Sequence, residues 1–132
     1  MKIAVDFDGT IVTHNYPAIG KEIPFAFQTL KMLQQKGHLL VLWTYRSDKL
    51  LQEAVDFCKK NGLEFYAINK NYPEETQDDR GPRKLDVDLF IDDRNIGGLP
   101  SWGEIYQLIC PEEQLDSQFR KQKTKWYQKR KQ

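Results

Sequence analysis

The sequence predicts an α/β fold, a parallel sheet with helices on both faces, and three observations carry that expectation. Short apolar runs alternate with stretches of helical periodicity. Each run is too short for a helix that must also cap itself, so it reads as a strand. Three of the four runs stop abruptly at polar residues: Asp6 and Asp8, then Thr44 with Arg46, then Asp92 and Asp93. Strands alternating with helices imply right-handed crossovers and parallel pairing. In such sheets a ligand sits beyond the carboxyl ends of the strands.

Each element follows from local pattern. Residues 2–5 form a short buried strand, and residues 9–20, with two glycines and a proline among polar residues, form a loop or small flap. Pro24 suits the first turn of a helix, where its missing N–H has no partner in any case. Phe27, Leu30 and Leu33 recur at helical spacing, and Gly37 ends the element. The run LLVLWT, residues 39–44, reads as a strand covered on both faces. Leu51, Ala54 or Val55, and Cys58 mark one face of a second helix. Its end at Lys59, Lys60, Asn61 and Gly62 suits the negative pole of the helix dipole and a left-handed cap. A third strand is expected over residues 64–68, a polar loop over 69–84, a fourth strand over 87–91 and a short helix over 103–109.

The chain has 132 residues, enough for one compact domain. The expected division is a core at 1–111 and a basic C-terminal helix or tail at 112–132. Apolar residues make up 39% of the chain, which supplies one core, and no apolar run is long enough to span a bilayer. The start, MKIAVDFDGT, lacks the long apolar stretch and cleavage site of a secretory signal, so a cytoplasmic location is the default and no membrane partner is expected. Cys58 and Cys110 make neither a disulfide framework nor a metal motif, and Cys58, on an apolar helix face, reads as a core residue. Net charge is +1, yet the chain from Phe119 onward carries Arg120, Lys121, Lys123, Lys125, Lys129, Arg130 and Lys131 with no acid. This tail reads as a solvated helix or frayed end. The alternative is contact with nucleic acid, another acidic partner or a second copy of the chain.

The acids at the strand ends carry the chemistry. Several carboxylates at one sheet edge repel one another unless a cation lies between them, and all-oxygen ligands of this kind suit Mg2+, commonly shared with a substrate phosphate. For each acid alone the plain reading is a turn or helix cap; for Asp6, Asp8, Asp92 and Asp93 together, the shared site is the better account.

The segment IAVDFDGTIV, residues 3–12, resembles the first signature of haloacid dehalogenase-like (HAD-like) phosphatases. VLWTYR, residues 41–46, resembles the second, and LFIDDR, residues 89–94, the fourth. They occur in that superfamily's order and, with Lys84, cover roughly residues 1–98. The resemblance implies a three-layer Rossmann-like, HAD-like sheet and a phosphatase working through an aspartyl phosphate. Asp6 would be the nucleophile and Asp8 the general acid and base. Thr44 would hold a phosphoryl oxygen, and Lys84, with Lys70 as runner-up, would neutralise charge. Asp6, the backbone carbonyl of Asp8, Asp92 and Asp93 would hold Mg2+. Gly9 and Thr10 of the Gly-Thr turn, with Arg46, are the expected substrate-binding residues. Arg80 is a weaker anion contact, and Arg94 is as readily a structural salt bridge. His14 reads as an exposed loop residue, His38 as structural and Trp43 as core packing; Trp102 and Trp126 read as buried or at an interface.

Neither interval in which relatives insert a cap has room for one, so the expectation is a capless member with an open site. Such a site selects its phosphorylated substrate by binding a macromolecular end, by borrowing a second copy as a lid, or by folding the loop 69–83 over a small molecule. Two rival functions remain. A catalytically silent binding module would keep the fold, and a phosphoacceptor of the receiver type shares the residue types but places its paired acids after the first strand, an order this chain does not follow.

Overall fold

The structure, a computed structural model, describes residues 1–113. The tail expected from residue 112 therefore lies, beyond Glu113, outside the described residues. The chain divides into two compact units, Met1–Leu99 and Pro100–Gln132.

The first unit is an α/β fold with a four-stranded, all-parallel sheet: β1 (Lys2–Val5), α1 (Ala26–Gln35), β2 (Leu39–Leu42), α2 (Asp48–Lys60), β3 (Ala67–Ile68) and β4 (Leu89–Ile91). The strands lie in the order β3-β2-β1-β4. The path β1 to β2 to β3 steps in one direction across the sheet, so right-handed crossovers place α1 and α2 on the same face. Their packing agrees: Phe27 of α1 and Phe57 of α2 meet with ring centroids 5.9 Å apart, and Phe57 meets Phe7 at 6.3 Å. Side chains alternate along a strand, so Ile3, Val5, Leu40 and Leu42 share one face, all fully buried.

The return from β3 to β4 runs back across the sheet, and the same rule sends it over the opposite face. There the cover within this unit is a loop rather than a helix. Leu85 packs with Ala4, Val41 and Ala67, surrounded by Trp43, Tyr66, Val87 and Phe90. The segment has no helical periodicity to bury, and it is held by polar contacts instead. The Lys2 ammonium donates to the Asn71 carbonyl at 2.7 Å, the Asn71 side-chain oxygen accepts from the Asp86 N–H at 2.7 Å, and the Lys2 N–H donates to Asp88 at 2.8 Å.

Two element boundaries differ instructively from the sequence reading. Pro24 lies outside α1, because Phe25 takes a left-handed conformation at φ 68° and the helix starts only at Ala26. The third strand shrinks to two residues because only Val41 and Leu42 find partners along it. No cap is inserted among the described residues. The interval before β2 holds the flap and α1, and the interval before β4 holds α2, β3 and the loop.

In the second unit, α3 (Trp102–Ile109) opens on a serine N-cap: the Ser101 hydroxyl accepts from the Glu104 N–H at 3.2 Å, with Glu104 itself in the first turn. A 3-10 turn follows at Pro111–Glu113. No helix among the described residues is long and apolar enough to cross a membrane.

Candidate active site

Strand register assembles the site. Val5 pairs with Leu42 on one side and Ile91 on the other. The next residues along, Asp6, Trp43 and Asp92, therefore leave the sheet side by side. The ladder continues one step past the strands, with the Asp6 N–H donating to the Ile91 carbonyl at 3.0 Å and the Trp43 N–H to the Val5 carbonyl at 2.9 Å. Parallel pairing thus converts three distant stretches of sequence into one polar edge.

At that edge the carboxylates of Asp6, Asp92 and Asp93, each half-buried, offer oxygens within 4.8 Å of one another. Like charges about 4 Å apart repel by about 4 kcal/mol at an effective dielectric of about 20, so the group favours a cation or a proton. Burial, the hydrogen bond with Asp93 and the charge of Asp92 push the Asp6 carboxyl up from 3.8 to about 7. Three oxygen donors of this kind suit a hard metal ion, and this acidic cluster can hold one.

Gly9 and Thr10 build the cluster. Gly9 sits at φ 84°, and a Cβ there would collide with the Asp93 carboxylate; the turn must be glycine for the acid to come so close. Thr10 is fully buried. Its hydroxyl lies 3.0 Å from Asp6 Oδ2 and 3.2 Å from Asp93 Oδ1, and it accepts from the Asp93 N–H at 3.1 Å. Both residues, expected to bind substrate, pack against the acids and hold them in place.

Arg46 is likewise engaged by the protein's own groups. It was expected to grip a substrate anion, yet its side chain is fully buried and committed to the protein. Nε and Nη2 each reach Asp8 at 2.8 Å, Nη2 also donates to the Ala18 carbonyl and Nη1 to that of Leu50. The guanidinium lies 5.2 Å from the ring centroids of both Phe7 and Tyr16. The Asp8 carboxylate is thereby held by Arg46, and it is not one of the three that form the metal-competent cluster.

The polar edge opens into a cleft of about 690 Å³ lined by Asp6, Asp8, His14, Tyr16, Trp43, Thr44, Tyr45, Asp92 and Arg94. Thr44 is anchored by its N–H donating to Asn69 Oδ1 at 2.9 Å, and its hydroxyl accepts from the Arg46 N–H at 3.1 Å. Lys84 is exposed, with its ammonium 5.9 Å from the Phe90 ring centroid, and it does not line the cleft. Lys70 does not line it either; among the described residues, the Lys or Arg that does is Arg94. Arg80, the other expected anion contact, lies over Trp43 at 5.8 Å and donates to the carbonyls of Asn69 and Arg83. No residue of the 69–83 loop lines the cleft, whereas the flap contributes His14 and Tyr16.

A solved structure of a conserved protein from Bacteroides thetaiotaomicron superposes on this chain with a TM-score of 0.81 and 59% sequence identity, over 88% of this chain and 94% of that one. The chain belongs to that protein's family. Nearly the whole of the relative is matched, so the two share the α/β core. No family model and no curated protein matches the chain.

Sequence reasoning missed the aromatic lining of the cleft. Tyr16 was legible as an aromatic in an otherwise polar, Gly- and Pro-containing loop, and Tyr45 by its position between Thr44 and Arg46 at a strand exit. Trp43 plays both parts, packing against the buried cluster and lining the cleft.

Proposed function

We propose that this protein is a Mg2+-dependent phosphohydrolase of the HAD type, acting on a phosphate ester through an aspartyl phosphate on Asp6. The observation that carries the proposal is the convergence of Asp6, Asp92 and Asp93 at one end of a cleft that also presents Thr44 and Arg94. Three mutually close carboxylates, one of them strongly disfavoured as an anion, make sense where a divalent cation is part of the working state.

Asp6, Asp92 and Asp93 would hold Mg2+, which supplies electrostatic stabilisation of the transferring phosphoryl group. Asp6 lines the cleft, so an oxygen of its carboxylate attacks phosphorus, the bond to the leaving oxygen breaks, and the leaving group departs with that electron pair. The Thr44 hydroxyl donates to a phosphoryl oxygen, and Arg94 supplies positive charge on the wall. Asp8, which also lines the cleft, then takes a proton from the water that attacks the aspartyl phosphate; the P–O bond breaks, freeing phosphate and restoring Asp6. The same residue's earlier duty, giving a proton to the leaving oxygen, requires the fork from Arg46 to open, since both carboxylate oxygens already accept from that cation.

The test is phosphate release from a broad ester panel with and without Mg2+, with Asp6→Asn as the control. Mg2+-dependent release that vanishes in the variant supports the assignment. Release that survives Asp6→Asn, or folded protein that releases phosphate from no ester, overturns it.

A further inference from the structure

We propose that the cleft takes phosphate esters whose organic part carries a planar aromatic ring, held against Tyr16, Trp43 and Tyr45; this inference rests on the phosphohydrolase reading. A phosphoryl group needs only a small part of about 690 Å³, a volume within the range of about 300–1,000 Å³ that accommodates a whole organic ligand. The acids, Thr44 and Arg94 account for the charged end. The remaining lining side chains, His14, Tyr16, Trp43 and Tyr45, are all aromatic.

The rings are held as a wall. Tyr16 rests over the buried Arg46 guanidinium at 5.2 Å, and Tyr45 meets it edge to face with centroids 6.1 Å apart. Trp43 is supported by the Leu85 cluster and by Arg80 at 5.8 Å. Tyr45 is 90% exposed, so core packing does not explain a tyrosine there. An edge-to-face pair at a cleft mouth offers further ring faces to a guest, and stacked or edge-on aromatic pairs gain beyond simple burial. Such a wall also addresses the selectivity of a capless site, because the flap and the strand exit supply a side wall where no lid is seen among the described residues.

The experiment is titration of the full chain with non-hydrolysable phosphonates in the presence of Mg2+. Phenylphosphonate, a nucleoside 5′-phosphonate and methylphosphonate are compared on the native protein, Tyr45→Ala and Tyr45→Phe. Tyr45 is nearly fully exposed, so its replacement leaves the fold intact. The expected result is that a ring-bearing phosphonate binds at least about tenfold more tightly than methylphosphonate. Tyr45→Ala removes most of that advantage and Tyr45→Phe keeps it. The tighter of the two ring-bearing ligands tells a phenol-derived ring from a nucleobase. Equal binding of all three, or a ring preference untouched in Tyr45→Ala, overturns the inference while leaving Mg2+-dependent phosphate release in place. A ring preference in protein that hydrolyses no ester sustains the inference and removes the phosphohydrolase reading instead.

Discussion

Arg46 grips Asp8 with two arms of its guanidinium, Nε to Oδ2 and Nη2 to Oδ1, each at 2.8 Å. The two residues are 38 positions apart in sequence, and the pair is nearly dry, with side-chain exposures of 0% for Arg46 and 12% for Asp8. Breaking such a pair by removing one partner leaves an uncompensated charge and costs far more than losing a surface ion pair. Arg46→Ala is therefore expected to destabilise the protein by about 3–5 kcal/mol, read as a shift in urea midpoint. Lysine does not rescue it, because an ammonium cannot make the planar fork. The Asp8→Ala, Arg46→Ala double variant should lose clearly less than the two single losses added together. Strict additivity in that cycle would show that the pair is not coupled.

The metal-free protein should become less stable as pH rises from about 4 to about 7. Asp6 has its folded-state value raised from 3.8 to about 7 by burial and by its acidic neighbours. Between those values the folded chain binds a proton that the unfolded chain has lost, so stability falls as pH increases through the window. In chelator-treated protein, Asp6→Asn should show a flatter stability profile across this range than the native chain and be the more stable of the two near pH 7. Saturating Mg2+ should restore much of the native protein's loss, since a ligand bound only by the folded state stabilises it. Parallel pH profiles for native and Asp6→Asn protein would count against the electrostatic account of the cluster.

The strand ends were legible because β1 and β2 are largely buried on both faces, and they and β4 leave continuous apolar runs that stop where the polar edge begins. The Asp-x-Asp spacing pointed to Asp6, which lies in the acidic cluster, but could not tell which groups the Asp8 carboxylate meets. That depends on Arg46, whose reach is set by the register of β1 against β2 and by the Phe7 and Tyr16 rings close to its guanidinium. Gly9 and Thr10 were recognisable as a turn, while their contact with Asp93 required β4 to be in place. Lys84 was drawn in by its distance along the chain from β4, whereas sequence distance says nothing about how a loop crossing the second sheet face aims a long side chain. Arg94, one residue past the acid pair, is positioned through its N–H on Asp92 Oδ1 at 2.8 Å.

Cys58 should be inert in the native protein. It is fully buried on α2, and burial pushes its thiol from 9.0 up to about 12, so the reactive thiolate is suppressed at neutral pH. Labelling with a disulfide reagent near pH 8 should proceed at Cys58 only as fast as the chain opens, and denaturant should accelerate it sharply. Because the folded value is raised, the thiol's contribution to stability is intact below about 9 and is lost as pH climbs toward about 12. Rapid labelling of Cys58 without denaturant would place it outside the core.

Gly9→Ala is the most informative single change at the site, because it alters no ionisable group. Gly9 sits at φ 84°, and its N–H donates to the Val12 carbonyl at 2.7 Å, which fixes the turn after Phe7. A non-glycine residue there carries backbone strain of about 1–3 kcal/mol. The added methyl would also have to displace the Asp93 carboxylate, one of the three that offer oxygens to a metal. The variant should therefore fold with a lower midpoint and lose most of the stabilisation that Mg2+ gives the native protein. Both follow from thermal unfolding with and without the ion. A midpoint loss with Mg2+ stabilisation intact would mean that Asp93 is dispensable for the metal, and the ligand set would reduce to Asp6 and Asp92.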